Sequence, residues 1–351
     1  MPTSPNVLTI AIDAMGGDNA PHAIVAGLTL AHKKHPNWRF ALFGDEAQLK
    51  PLITNALIDC VDIHHADSVI ADDEKPSQAI RKGRNSSMGL AIKAVKEGRA
   101  DACISCGNTG ALMALSKIGL RTLTGIDRPA ICTMMPTTQA DGTPNGAVTM
   151  LDLGANLHSD ANNLFEFAVM GDAFARVMLE KTAPKVALLN IGSEDSKGHE
   201  EIKAAAEMLE DAECPIDYIG YIEGDAILRN CPADVIVTDG FTGNIALKTI
   251  EGTAKMCMSS FKKALNTSVF AKLGGLLAKR SLGKLAKQID PRRYNGAMFV
   301  GLNGVVVKSH GGSDAVSFAS AIDVATTLVE KDINTLILQE MVDSGHIPPE
   351  S

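Results

Sequence analysis

The chain has 351 residues, 45% of them apolar, which is enough for one large α/β domain or two ordinary ones with a sizeable core. A formal net charge of -8, a pI near 5.6 and only 4% aromatic residues argue against the basic, aromatic-bearing face that a nucleic-acid partner requires. Seven scattered cysteines, an odd number in a chain too large to need disulfide staples, point to a reducing cytosolic compartment.

In chain order, short apolar runs repeatedly end in a Gly-containing polar loop that leads into a helical pattern. Val7 to Ile12 is the first strand; Met15 to Asn19 forms its loop, and Pro21 starts a helix, where its missing N–H costs nothing. The N-terminus lacks the basic flank of a signal peptide and its apolar stretch is broken by Asp13, so export is not expected. Ala102 to Ser105 leads through "CGNTG" to a helix from Ala111, and Val148 to Leu153 through "GAN" to a helix from about Asp160. Val186 to Ile191 leads through "GSEDSKG" to a helix from His199, and Val235 to Thr238 through "DGFTGN" to a helix from about Ile245. Val305 to Lys308 closes the series through "SHGGSD", with Asp314 capping a helix that runs to about Lys331.

This alternation predicts an open, mostly parallel sheet covered on both faces, with the loops gathered along one edge. Each loop would place N–H groups at a helix N-terminus, where phosphate or another oxyanion is favoured. Gly16 and Gly17 would let the main chain approach a ligand closely, with Asp13, Asp18 and Asn19 orienting loop or ligand. No two glycines are separated by a single residue, which removes the dinucleotide fingerprint, and neither a P-loop nor a G-x-S-x-G elbow is present. Phosphate binding without a nucleotide motif remains.

Cys103 and Cys106 are read as core residues on opposite faces of a strand end, and His64 and His65 as a surface strand end without metal partners. No residue constellation argues for a metal or another cofactor. From Lys262 to Arg293 the chain holds nine basic residues against a single acid, Asp290. Arg280, Lys284 and Lys287 fall on one helical face there, and Leu282, Leu285 and Ile289 on the other. Such a helix could meet an anionic membrane, an acidic protein such as a carrier, or a second subunit, and the sequence does not separate these uses.

"IAIDAMGGDNAP", "RNSSM", "GNTGALMA", "DLGAN", "NIGSEDSKG", "VTDGFTGNIALKT" and "GLNGVVVKSHGGSD" together resemble the PlsX family of bacterial phosphate acyltransferases, from about Leu8 to Lys331. Cys106 stands where that family is expected to carry a small residue. The resemblance implies a single three-layer α/β/α domain over residues 1–351, of the phosphotransacetylase and isocitrate-dehydrogenase type, with a helical hairpin at 252–293. It implies a homodimeric cytosolic enzyme, peripherally bound to membrane, that converts long-chain acyl-ACP (acyl carrier protein) and orthophosphate to acyl phosphate for the membrane acyltransferase PlsY. On the family's motif positions, Lys197 and Asn244 are the expected catalytic pair. Asp13, Gly16, Gly17, Asn108, Thr109, Gly110, Asn156, Gly243, His310 and Ser313 would line the phosphate and substrate pocket, with Asp13 and Asp239 as loop organisers.

Overall fold

The opening apolar run forms a strand whose side chains alternate between two cores: Ile10 and Ile12 enter one hydrophobic cluster, Ala11 the other. The computed structural model describes residues 7–211, 214–280, 283 and 294–348. Its strands are β1 (Thr9–Asp13), β2 (Arg39–Gly44), β3 (Val61–His65), β4 (Ala102–Ser105), β5 (Ala130–Thr138) and β6 (Pro144–Leu151). They continue with β7 (Lys185–Leu189), β8 (Asp217–Ile222), β9 (Val235–Val237), β10 (Ala297–Val300) and β11 (Val305–Lys308). Among the described residues these make one eleven-stranded sheet in the order β3-β2-β1-β4-β11-β10-β5-β6-β9-β7-β8.

The helices are α1 (His22–Lys34), α2 (Glu46–Leu49), α3 (Pro76–Lys82), α4 (Ser87–Lys96), α5 (Thr109–Leu120) and α6 (Ala161–Met178). Then follow α7 (Glu200–Leu209), α8 (Gly240–Leu265), α9 (Val269–Leu277), α10 (Ala315–Glu330) and α11 (Ile333–Asp343). One face of the sheet is covered by α1, α6, α7, α10 and α11, the other by α3, α4, α5 and the first turns of α8. Side chains such as Phe40, Phe167, Phe299 and Phe318 are fully buried between these layers. Each contributes about 1.5–3 kcal/mol relative to exposure. Cys103 belongs to one core and Cys106 to the other, as their spacing predicts. His64 and His65 end the edge strand β3.

One expectation fails in an instructive way. Strands β3, β2, β1, β4 and β11 are mutually parallel, and so are β6, β9, β7 and β8. Between these blocks the β11–β10, β10–β5 and β5–β6 pairs are all antiparallel. Three reversals leave the second block running against the first, so the Gly-containing loops do not gather along one edge. They form two groups, one after β1, β4 and β11, the other after β6, β7 and β9.

Helix α8 connects the groups, and it also departs from expectation. It begins at Gly240, capped by Asp239 whose side chain accepts from the Thr242 amide, so most of "DGFTGN" is helix rather than loop. It runs for 26 residues, burying only Gly240 and Gly243, and α9 follows after a short break. The expected hairpin region therefore starts inside a longer helix. Of the residues expected on the amphipathic basic helix, Arg280 is exposed, while Leu282, Lys284, Leu285, Lys287 and Ile289 lie outside the described residues. Among the described residues no helix is long and apolar enough to cross a membrane.

Candidate functional site

The sheet register builds the first group. Asp13, Ser105 and Lys308 lie side by side at the ends of β1, β4 and β11, so their side chains share the face that α8 covers. Asp13 is buried and accepts a 2.7 Å hydrogen bond from the Ser105 hydroxyl; burial holds its carboxyl above the usual carboxylate range, against the pull of its hydrogen bonds. It organises the loop.

Gly16 and Gly17 do not face open space. A Cβ on Gly16 would lie 2.7 Å from the Gly107 amide, and one on Gly17 (φ 92°) 2.7 Å from the Gly311 carbonyl. The close approach is between loops, completed by the Asp18 amide donating to the Gly311 carbonyl at 2.9 Å and the Asn19 side chain donating to the Ser313 carbonyl at 3.2 Å. Asn108 is equally occupied: its carbonyl oxygen caps α5 at the Ala111 amide (3.0 Å), and its Nδ2 donates to the carbonyls of Asp72 (2.8 Å) and Glu74 (2.9 Å). Thr109 and Gly110 are exposed in the first turn of α5.

The β11 loop is pinned by Asn295, a residue with no signature in the sequence. Its Nδ2 donates to the Ser309 hydroxyl (2.7 Å) and the Ser317 carbonyl (2.8 Å), and its Oδ1 accepts from the His310 amide (3.1 Å). Ser313 is buried, 2.9 Å from the Ser309 hydroxyl. The Gly312 amide donates to His310 Nδ1 at 3.0 Å, which places the proton of the neutral ring on Nε2. Burial lowers the His310 pKa from its ordinary 6.5; Glu251 opposes this, and Lys308, Lys248 and Lys255 reinforce it.

Asp152, fully buried at the end of β6, organises the second group. It accepts from the amides of Ile131 (2.9 Å), Gly154 (3.2 Å), Ala155 (2.9 Å) and Asn156 (2.7 Å) and from the Asn156 side chain (3.0 Å). Asn156 Nδ2 also reaches the Pro129 carbonyl at 2.9 Å, so that side chain is structural. Gly243 seats α8 directly on the Asp152 carbonyl, where a Cβ would collide with backbone. This close seating leaves Asn244 exposed against Gly154, whose added Cβ would lie 3.3 Å from Asn244 Cβ. The loop after β7 is held by Asn190, which donates to the Lys197 carbonyl at 3.2 Å. Among the described residues neither the Lys197 nor the Asn244 side chain has a hydrogen-bond or ion-pair partner. Lys197 projects from the loop after β7 and Asn244 from the second turn of α8, which follows the neighbouring strand β9.

The structure thus brings Asp13, Gly16, Gly17, Asn108, Thr109, Gly110, His310 and Ser313 together in the first group, and Asn156, Lys197, Gly243 and Asn244 in the second. Helix α8 carries the second toward the first: Asn244 and Lys248 lie one turn apart on one face, about 6 Å along the axis. Among the described residues no group of three or more His, Cys, Asp or Glu side chains could hold a metal ion.

This architecture is shared with solved phosphotransacetylases. The Streptococcus pyogenes enzyme superposes with a TM-score of 0.60 at 17% identity, covering 93% of this chain and 95% of the other. EutD phosphotransacetylase from Staphylococcus aureus gives 0.57 at 17% identity, covering 93% and 96%. The fold class is therefore the mostly parallel α/β architecture of those proteins. In sequence, the family described as "Fatty acid synthesis protein" matches residues 8–336. Curated relatives named phosphate acyltransferase include that of Rhodospirillum rubrum, 50% identical over 98% of this chain and 97% of its own, and that of Paramagnetospirillum magneticum, 50% identical over 95% and 93%. The chain belongs to this phosphate acyltransferase family and is an enzyme of the acyl-transferring class.

Proposed function

We propose that the protein transfers the acyl group of a long-chain acyl-ACP to orthophosphate, releasing acyl phosphate and free carrier. The observation that carries the reading is the pair of exposed side chains without partners among the described residues, Lys197 on the loop after β7 and Asn244 near the start of α8, beside loops whose polar groups are held by one another. A phosphate oxygen attacks the thioester carbonyl carbon, the carbonyl oxygen becomes an oxyanion, and the C–S bond breaks as the carbonyl re-forms. The thiolate leaves without a covalent enzyme intermediate. Asn244 donates to the oxyanion and Lys197 polarises the carbonyl, so both act where negative charge develops. The first group, with the open α5 amides at Thr109 and Gly110 and His310 Nε2–H, supplies phosphate donors. Asn108, Asn156 and Ser313 act as scaffold rather than as ligands.

Leu157, Ile191, Phe241 and Ile245 expose apolar side chains around the second group, an environment suited to an acyl chain. Farther along, Met256, Phe261, Phe270 (86% exposed) and Leu277 (81% exposed) give α8 and α9 exposed apolar surface. We read that arm, with Lys262 and Lys263 beside it, as the contact to a second subunit and to an anionic membrane, which keeps the enzyme peripheral and near PlsY.

Incubation with palmitoyl-ACP, with and without orthophosphate, tests the reaction through hydroxylamine trapping of acyl phosphate and counting of released carrier thiol. Phosphate-dependent hydroxamate with matching thiol is the expected result. Turnover of acetyl-CoA with none of palmitoyl-ACP would replace the reading with a phosphotransacetylase activity.

A further inference from the structure

We propose that Lys308, at the end of β11, is the principal anion-binding residue of the active site, and that with His310 Nε2–H it holds the attacking orthophosphate. This rests on the acyl transfer to phosphate proposed above. Lys308 closes a strand of valines and sits beside Ser105 and Asp13, so its side chain turns into the first loop group instead of into solvent. Its ammonium donates to the carbonyls of Cys106 (3.2 Å) and Ser309, and among the described residues no carboxylate lies within 4.0 Å of it. Asp13 and Asp72 act on it only from farther off. An ammonium has three N–H groups, so one donor remains free. Lys308 is half-buried, and withdrawing such a charge from water without an ion-pair partner is costly unless a ligand completes the shell.

His310 adds a second donor from the same loop, two residues on. The Gly312 amide occupies its Nδ1, and among the described residues Nε2–H has no partner. Lys248 on α8, by contrast, is paired with Glu251 at 3.0 Å, so its charge already has a counterpart. A tetrahedral phosphate matches donors that arrive from different directions: Lys308 from the sheet and His310 Nε2–H from the loop.

The test is titration of the full-length protein with inorganic phosphate by calorimetry, together with separate KM values for phosphate and palmitoyl-ACP. Lys308→Met is expected to weaken phosphate binding and raise the phosphate KM about tenfold or more, with Lys308→Arg restoring most of it. His310→Ala, at an exposed loop residue and therefore safe for folding, is expected to cost about three- to fivefold in the same two quantities, with the palmitoyl-ACP KM unchanged. Unchanged phosphate affinity in His310→Ala, or in a folded Lys308→Met, overturns the proposal. A loss that falls on the palmitoyl-ACP KM alone overturns the orthophosphate assignment in favour of the phosphodiester of the carrier's prosthetic arm. A wild-type protein that binds phosphate but transfers no acyl group would sink the acyl-transfer reading and leave the phosphate site at Lys308 standing.

Discussion

The two loop groups use similar residues in opposite ways. In the first, the conspicuous motif residues hold each other: Gly16 and Gly17 close loop on loop, Asn108 ties down residues 72–74, and Asn19 and Asn295 pin the β11 turn. The groups left to act there are Lys308, His310 Nε2–H and amides at the start of α5. In the second, a single buried carboxylate, Asp152, gathers five N–H donors, and this compact scaffold leaves Lys197 and Asn244 exposed and unpartnered. Motif density thus marks where the backbone is organised, and the proposed chemistry falls on side chains the organisation leaves free.

That contrast is sharpest in turnover. Lys197→Ala and Asn244→Ala are each expected to lower kcat about 100- to 1000-fold with little change in melting temperature, because both side chains are exposed and, among the described residues, bond to nothing. Folded variants with near-normal turnover would remove them from the mechanism. Asp152→Ala should do the reverse. Leaving five donors without their carboxylate is expected to cost about 3 kcal/mol or more in denaturant unfolding, and activity should fail with the fold. Gly243→Ala belongs with it, since a methyl group at that position meets the Asp152 carbonyl and must push α8, with Asn244 and Lys248, off its seat. A stable, fully active Gly243→Ala protein would contradict the close seating. Asn108→Ala is milder: a lost N-cap of α5 costs about 1 kcal/mol, read as a lower melting temperature with phosphate KM nearly unchanged. A large rise in phosphate KM there would restore Asn108 as a ligand.

Much of this fold can be read directly from residue patterns. The valine run of β11, the bounds of β4, the start of α6 at about Asp160 and the cap Asp314 all fall where apolar periodicity and N-cap chemistry put them. Strand polarity could not be read that way. It depends on β5 and β10, which pair antiparallel at the centre of the sheet; the Asp141-Gly142 turn joining β5 to β6, with Gly142 at φ 84°, is the local signal for that reversal. The start of α8 was hidden because Gly240 and Gly243 resemble breakers, whereas here the missing Cβ atoms let the helix press on the 152–156 loop. Lys308 was hidden for another reason. A lysine at the end of an apolar strand reads as a solvated terminus until the register sets it beside Ser105 and Asp13.

The smallest expected effect concerns pH and separates the groups by their titration. In the first group His310 accepts the Gly312 amide at Nδ1, and burial together with Lys308, Lys248 and Lys255 holds its pKa below 6.5 against the pull of Glu251. The unfolded chain, with an imidazole near its ordinary value, therefore takes up a proton before the folded one as pH falls. The stability this group contributes is complete above pH 6.5 and is lost as pH drops through the folded pKa, when Nδ1 becomes a donor facing a donor. Melting temperatures from pH 8 to pH 5 should accordingly decline less in His310→Gln than in the wild type. Asn244→Ala, in the second group, should keep the wild-type slope. Identical slopes in wild type and His310→Gln would mean that the imidazole keeps its ordinary pKa in the fold, and that its burial there does not penalise the charged ring.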